Sequence, residues 1–195
     1  RRMWIATYLS GLIVVDKASL EKSLSNSCVL TSKNFIGYGQ IKSVYQMMPD
    51  SKGNIWANTN VGLICADPLK DDYKPTNIYL DYLVCDGGSI WYSDQGSIYQ
   101  YDIKQKNKCK VPYQVSYGSA YSLVCSPDYV WVSSVDGILR INKKTMNVNT
   151  YHVSNPHFKC AVFEKDKNRV VFGGEDILTT LNIGKLGATH HARRA

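Results

Sequence analysis

Residues able to do acid–base, nucleophilic or metal chemistry are few in this 195-residue chain and poorly spaced for it. The four histidines are His152, His157, His190 and His191. His190 and His191 stand beside Arg193 and Arg194 in a short basic terminal stretch, where a flexible backbone denies the fixed geometry that catalysis needs. His152 and His157 flank Asn155-Pro156 on a connection between expected strands and read as solvated loop side chains. The six cysteines (28, 65, 85, 109, 125 and 160) form no CxxC and no close pair with zinc-ligand spacing. Asp81, Asp86, Asp102, Asp128 and Asp136 recur at strand ends, where turn hydrogen bonding accounts for them. There is no His-Glu-x-x-His and no Gly-x-Ser-x-Gly. The expectation is therefore no catalytic residue, no metal ligand and no cofactor, and a chain that binds rather than turns over. An active site drawing single residues from several repeats, as in a glycan hydrolase or lyase, stands as the alternative.

Bulk composition points the same way. Hydrophobic content is 44% and charged content 20%, with fourteen Tyr, which suits a β-rich globular chain and argues against disorder. The formal charge is +7, but Arg1, Arg2, Arg193 and Arg194 supply four of those charges from the ends, leaving 7 − 4 = 3 in the interior. Lys104, Lys106, Lys108 and Lys110 fit a solvated strand edge that resists edge-to-edge pairing. No basic stripe interleaved with stacking aromatics is visible, so no nucleic-acid partner is expected. No span approaches the roughly 20 apolar residues that cross a bilayer, so no membrane contact is expected of this segment. The start, Arg1 to Val15, imitates a signal peptide; the repeat described next accounts for it better. Cys85 and Cys125 stand at matching places in successive repeats, where a free thiol packs as a small hydrophobe.

What organises the chain is a repeat. Gly53-Asn54-Ile55-Trp56-Ala57-Asn58-Thr59-Asn60-Val61-Gly62-Leu63-Ile64-Cys65-Ala66-Asp67 reads as a strand carrying a Trp, a tight connection ending in Gly, and a strand closed by Asp. The pattern recurs as Trp4, Thr7, Gly11 and Asp16; as Trp91, Gly96 and Asp102; and as Trp131, Gly137 and Asn142. A last copy is expected on Phe172 and Asn182, with Phe in place of Trp. All four Trp of the chain occupy this place. The Gly permits a sharp turn, and the Asp or Asn caps the turn after the third strand. The large flat Trp fills space between adjacent sheets.

Around each copy the alternation and turn signals place four short strands and no helix. Residues 1–16 give two strands, and a third is expected near Cys28–Thr31. The first complete unit runs 41–47, a strand carrying Trp56, 61–66 and 76–80; the second 82–85, 89–93, 97–101 and 110–115; the third 120–125, 129–133, 137–141 and 148–153. The last has 158–163, 169–172 and 177–181, with residues 184–195 expected as a flexible basic tail. Four strands per roughly 40 residues is the signature of a propeller blade. The fold expected is all-β, a β-propeller over residues 1–183 with about three complete four-stranded blades plus two partial ones, forming an arc of a larger propeller.

The repeat resembles the two-component regulator propeller repeat, whose pattern is roughly Asp-x-x-Gly-x-Leu-Trp-x-x-Thr-x-x-Gly-Leu-x-x-Tyr-Asp. Asp50, Gly53, Asn54, Ile55, Trp56, Thr59, Gly62, Leu63 and Asp67 match it closely; Trp4, Thr7, Gly11, Leu12 and Asp16 match nearly as well. Later copies drift, with Asp94, Ser134 and Glu175 at the Thr place. The resemblance implies an extracytoplasmic, periplasmic sensor region of a hybrid two-component histidine kinase, responding to a carbohydrate. The partners implied are a carbohydrate ligand, the remaining propeller blades of the parent chain, and a homodimer. This segment carries no phospho-accepting His motif and no nucleotide-binding Gly-rich segment, so the kinase chemistry would lie elsewhere. An interaction scaffold holding a protein partner is the rival reading. Loops on a rigid scaffold carry function, and Tyr8, Tyr38, Tyr73, Tyr92 and Tyr117 are expected in or near connections, where aromatic faces could stack on sugar rings. No one of them is singled out as a ligand-binding residue.

Overall fold

The computed structural model describes residues 2–16, 18, 35–36, 41–67, 73–118, 120–154, 156–185 and 191–194. It divides into two units, Arg1–Tyr79 and Leu80–Ala195. In the first unit, β1 (Arg2–Ala6), β2 (Leu12–Asp16) and β3 (Phe35–Ile36) make a three-stranded antiparallel sheet. A four-stranded sheet follows from β4 (Val44–Pro49), β5 (Ile55–Thr59), β6 (Gly62–Ala66) and β7 (Tyr73–Pro75). The second unit holds three four-stranded meanders. The first is β8 (Tyr82–Asp86), β9 (Ser89–Asp94), β10 (Ser97–Asp102) and β11 (Asn107–Gln114). The next is β12 (Ser122–Cys125), β13 (Tyr129–Ser134), β14 (Gly137–Asn142) and β15 (Val148–Tyr151). The last is β16 (Cys160–Glu164), β17 (Arg169–Gly173), β18 (Ile177–Asn182) and β19 (His191–Arg194). Each sheet runs in sequence order from its first strand to its last. This is the all-β, propeller-blade architecture that the repeat predicts.

Why these strands form is plain from their residues. The second strand of each later sheet, such as Tyr129-Val130-Trp131-Val132, is β-branched and aromatic and is buried on both faces. Neighbouring sheets stack through those faces. Trp131 and Ile138 of one sheet close a core with Phe158, Val170, Phe172 and Leu181 of the next. In the first unit Leu12 packs with Ala57 and Ile64, and Trp4 lies against the same cluster. Burying a side chain the size of Phe172 or Leu12 stabilises by about 1.5–3 kcal/mol, so the stack of sheets, not any one sheet, holds each unit together.

Four elements depart from the sequence expectation. The strand that pairs with β2 is Phe35–Ile36; the stretch Cys28–Thr31 lies outside the described residues. The fourth strand of the first complete unit is Tyr73–Pro75, not 76–80. Beyond Pro75 the chain stays bonded to β6 but irregularly: the Thr76 N–H and hydroxyl both donate to the Leu63 carbonyl, at 3.1 and 2.8 Å, while Leu63 N–H donates to the Ile78 carbonyl at 2.7 Å. Residues 191–194, expected in the tail, pair with β18 and complete the last sheet. The open edge of β18 offers a row of backbone donors and acceptors that local composition does not reveal.

The fourth departure concerns Phe172, expected at the Trp place. Val124 faces Trp131 across the β12–β13 ladder, and the matching pair in the last sheet is Val162 with Val171. Backbone bonds agree: Tyr121 N–H donates to Ser133, and Lys159 N–H to Gly173. Val171 therefore holds the Trp place. Phe172 points through the opposite face, into the core shared with Trp131.

Candidate functional site

Each sheet has two ends. One carries the turns between first and second and between third and fourth strands; the other carries the turns between second and third strands and the connections onward to the next sheet. The repeat residues fix both ends.

At the first end, Asp50 is a hub. Its Oδ1 accepts the backbone N–H of Lys52 and Asn54 at 2.9 Å each, and its Oδ2 accepts Asn54 Nδ2 at 2.9 Å and the Trp56 indole N–H at 3.1 Å. Burial alone would raise the Asp50 pKa, but these donors together hold it below the ordinary carboxylate value. Gly53 closes the same turn. In the fourth sheet Ser126 Oγ takes the Trp131 indole N–H at 3.0 Å. In the third sheet the turn shortens to Gly87-Gly88 and the buried Trp91 indole N–H finds no partner among the described residues. Asp86, in the Ser126 place, instead pairs with Lys143 of the next sheet at 2.7 Å. The motif acids cap the other turns here: Asp102 Oδ1 accepts Gln105 N–H at 2.7 Å, and Asn142 Oδ1 accepts Lys144 and Thr145 N–H at 2.9 Å. Asp16 ends β2 and Asp67 follows β6. A hollow of about 180 Å³ lined by Pro127, Asp128, Tyr129, Asn142, Lys143 and Lys144 lies at this end. Ligand pockets usually run from about 300 Å³ upward, and the Lys143 ammonium is already spent on Asp86 and the Pro127 carbonyl.

The second end of the sheets in the first unit is the candidate site, and the same turn chemistry recurs separately in the second unit. The motif Thr sets its turns: Thr7 Oγ1 donates to the Gly11 carbonyl at 2.6 Å, Thr59 Oγ1 to Gly62 at 2.7 Å, and Ser134 Oγ to Gly137 at 3.3 Å. Gly62 sits at φ +94°, and a Cβ there would lie 2.7 Å from the Ile78 carbonyl oxygen; Gly137, at φ +118°, is closed in by the Tyr151 carbonyl in the same way. The motif Gly is thus where the departing connection crosses the turn. Gly11 occupies the same place in its sheet, directly before Leu12; in the third sheet that place falls to Ser97, and Gly96, expected there, stands one residue earlier in a tighter turn. Polar side chains then bind connection to turn. Asn60 Oδ1 accepts Lys42 and Ser43 N–H at 2.8 and 2.9 Å, and Asp81 Oδ2 accepts Gln95 N–H at 3.0 Å. Asp136 Oδ2 accepts Ser116 N–H and the Tyr113 hydroxyl, each at 3.0 Å. Burial would raise the Asp136 pKa, but Ser116, Tyr113 and nearby His152 bring it down.

On this rigid end Tyr8 and Tyr45 stand out from the surface, 71% and 56% exposed, with ring centroids 6.3 Å apart in an edge arrangement. Tyr8 lies in the turn capped by Thr7, and its carbonyl accepts the Ser43 hydroxyl. Tyr45 falls at a bulge, where the β4–β5 register slips between Val44 and Gln46. The bulge throws its ring outward. Two exposed, positioned aromatic rings can take the apolar face of a ring ligand, with Asn60 and backbone groups nearby for its polar rim.

Of the tyrosines expected in connections, Tyr8 and Tyr117 are exposed there. Tyr73 belongs to β7 and packs against the Leu12–Ala57 core. Tyr92 is buried and stacks on Tyr99 at 5.1 Å, because the second strand is covered on both faces. Tyr38 lies outside the described residues. Tyr45 is not among the tyrosines expected there; it is the bulged residue of β4, and the sequence of 41–47 carries no mark of the bulge. His157 packs its ring on Tyr121 at 4.8 Å. His190 is not described, and His191 contributes its backbone to β19. Burial pushes the Cys125 thiol up to about 12, with Asp86 adding to it. Among the described residues no three His, Cys, Asp or Glu come together as a metal site, and no helix is long and apolar enough to cross a membrane.

No protein-family model and no curated protein matches the chain. Solved structures do. The extracellular domain of the hybrid two-component system BT4673 from B. thetaiotaomicron is 25% identical with a TM-score of 0.80, over 99% of this chain and 28% of that one. A second structure of the BT4673 domain, there described as a one-component system, gives 24% and 0.76 over 89% of this chain and 25% of that one. The extracellular domain of the hybrid two-component system BT3049, also from B. thetaiotaomicron, shares the fold at 16% identity and a TM-score of 0.58, over 76% and 24% of the two chains. The chain thus spans about a quarter of the length of these domains. Over nearly all its residues it is similar to part of the extracellular domain of a hybrid two-component system, the kind of protein to which the resemblance of its repeat points.

Proposed function

We propose that this chain is a ligand-sensing segment of the periplasmic sensor region of a hybrid two-component regulator, that it acts by binding and not by catalysis, and that its ligand is a carbohydrate. The likeness to the BT4673 extracellular domain, at 25% identity over 99% of the chain, is the observation that carries the sensor reading. The exposed pair Tyr8 and Tyr45 supports the carbohydrate: tyrosine rings held by a capped turn and a bulge present flat apolar faces at little entropic cost on binding. The remaining blades of the parent chain and a second copy of the sensor are its expected partners, and kinase chemistry belongs to other parts of that parent.

The test is a thermal melt of the chain against a panel of glycan oligosaccharides. A ligand at 100 times its dissociation constant adds about 2.7 kcal/mol, a rise of several degrees for a domain of this size. The expected result is a rise with one glycan class that Tyr8→Ala or Tyr45→Ala abolishes while leaving the unliganded melt in place. No rise across the panel would overturn the carbohydrate reading. Leu9, 80% exposed beside Tyr8, favours the rival reading of a protein partner; that reading predicts no sugar effect at all.

A further inference from the structure

Resting on the carbohydrate reading of the Tyr8–Tyr45 site, we propose that the sugar met there is an acidic one, and that the Lys42 ammonium takes its carboxylate or sulfate.

Most polar side chains at this end of the first unit are already committed to the backbone. The Thr7 hydroxyl donates to the Gly11 carbonyl, Ser43 to Tyr8, Thr59 to Gly62 and Thr76 to Leu63. Asn60 Oδ1 accepts two backbone N–H groups. These side chains hold turns and connections together. Lys42 is the exception. Its backbone is clamped between the two turns, with its N–H donating to Asn60 Oδ1 and its carbonyl accepting the Gly11 N–H, each at 2.8 Å. Its side chain is exposed, and among the described residues no carboxylate pairs with the ammonium.

The distribution of charge gives that ammonium its meaning. Among the described residues of the turns and connections at this end (7–11, 41–45, 59–62 and 76–79), Lys42 is the only charged side chain. The described acids of the first unit stand at its other end: Asp50 in the turn after β4, Asp16 at the close of β2 and Asp67 after β6. The lysine charge is therefore met by salt alone. Its place also suits the two rings. Ile41, Ser43 and Val44 are buried, while Lys42 and Tyr45 are exposed on either side of Ser43 and Val44. Three residues of extended chain measure ~10 Å, a gap that the flexible lysine stem and one sugar ring on Tyr45 can fill between them. Ser43, the next residue, bonds the carbonyl of Tyr8. An anionic oxygen there gains a charge attraction to the ammonium that a sugar hydroxyl does not.

The test is calorimetric titration of the full chain with matched trisaccharides: galacturonate against galactose, glucuronate against glucose, and a sulfated galactose trimer as the second source of the anion. The expected result is that an acidic oligomer binds at least about tenfold more tightly than its neutral counterpart at about 50 mM salt, and that the preference shrinks at about 500 mM. Lys42→Gln should remove the preference. Lys52→Gln, which alters another exposed lysine, in the Asp50 turn, should keep it. A preference for a uronate assigns the carboxylate, and one for the sulfated trimer assigns the sulfate. Acidic and neutral oligomers that bind alike, or a preference that survives Lys42→Gln, would overturn this proposal and leave the carbohydrate reading standing. No binding by any oligomer would overturn both.

Discussion

Removing the Asp50 carboxylate should destabilise the first unit by about 2–4 kcal/mol, and the size follows from its four donors. The Trp56 indole N–H is buried with Asp50 as its partner, and a buried donor left unpaired costs about 1–3 kcal/mol. The N–H groups of Lys52 and Asn54 lie in a surface turn where water can replace the carboxylate, so each loses about 0.5 kcal/mol. Asp50→Ala should therefore be measured by urea unfolding, followed by far-UV circular dichroism, against Asp128→Ala, an exposed turn acid. The pH dependence gives a second handle. Because the folded pKa of Asp50 is depressed, its contribution is fully present above the unfolded value and is lost as pH falls through the folded one. Stability of the parent should decline between about pH 5 and pH 2, and Asp50→Ala should remove part of that slope. An Asp50→Ala protein within 0.5 kcal/mol of Asp128→Ala, or one with the parent's acid slope unchanged, would refute the view that this carboxylate organises the turn (the threshold is about the scatter of surface substitutions).

The other turns and cores make sharper comparisons. Trp91→Phe removes an indole N–H that already lacks a partner among the described residues, so in urea unfolding it should cost about 1 kcal/mol less than Trp131→Phe, which breaks the buried bond to Ser126 Oγ and leaves that hydroxyl with the Tyr129 carbonyl. Gly137→Ala forces a Cβ onto the Tyr151 carbonyl at φ +118° and should lower stability by about 1–3 kcal/mol, whereas Gly88→Ala, with open space around it, should be nearly silent. Phe172→Ala should cost about 3–5 kcal/mol, and Val171→Ala less than half as much, the reverse of what a Trp-place Phe172 would give.

How much of this was legible in the sequence depends on whether a residue's role is local. Thr and Asp each act within one hairpin: the Thr59 hydroxyl reaches Gly62 three residues on, and Asp102 reaches Gln105. Such contacts repeat with the sequence, so the blades could be read from them. Phe172 could not be placed the same way. Val170, Val171 and Phe172 are all apolar and all buried, so the strand shows no period-two alternation to say which face carries Phe172. The remaining signal was spacing. Asp or Asn follows Trp by eleven residues at 56 and 67, 91 and 102, and 131 and 142; Asn182 stands eleven after Val171 and ten after Phe172. The capping residue, which obeys turn geometry, was a better guide to register than the aromatic, which only needs a hole to fill. Tyr45 eluded the reading for a related reason. A bulge keeps the composition of a strand while moving one side chain to the other surface, and no local pattern within 41–47 marks it. The residues that build the scaffold are therefore the repeated ones, and the ring proposed to meet a ligand stands where the repeat is broken: Tyr45 at a slipped register, beside the turn made by the Thr7–Gly11 motif.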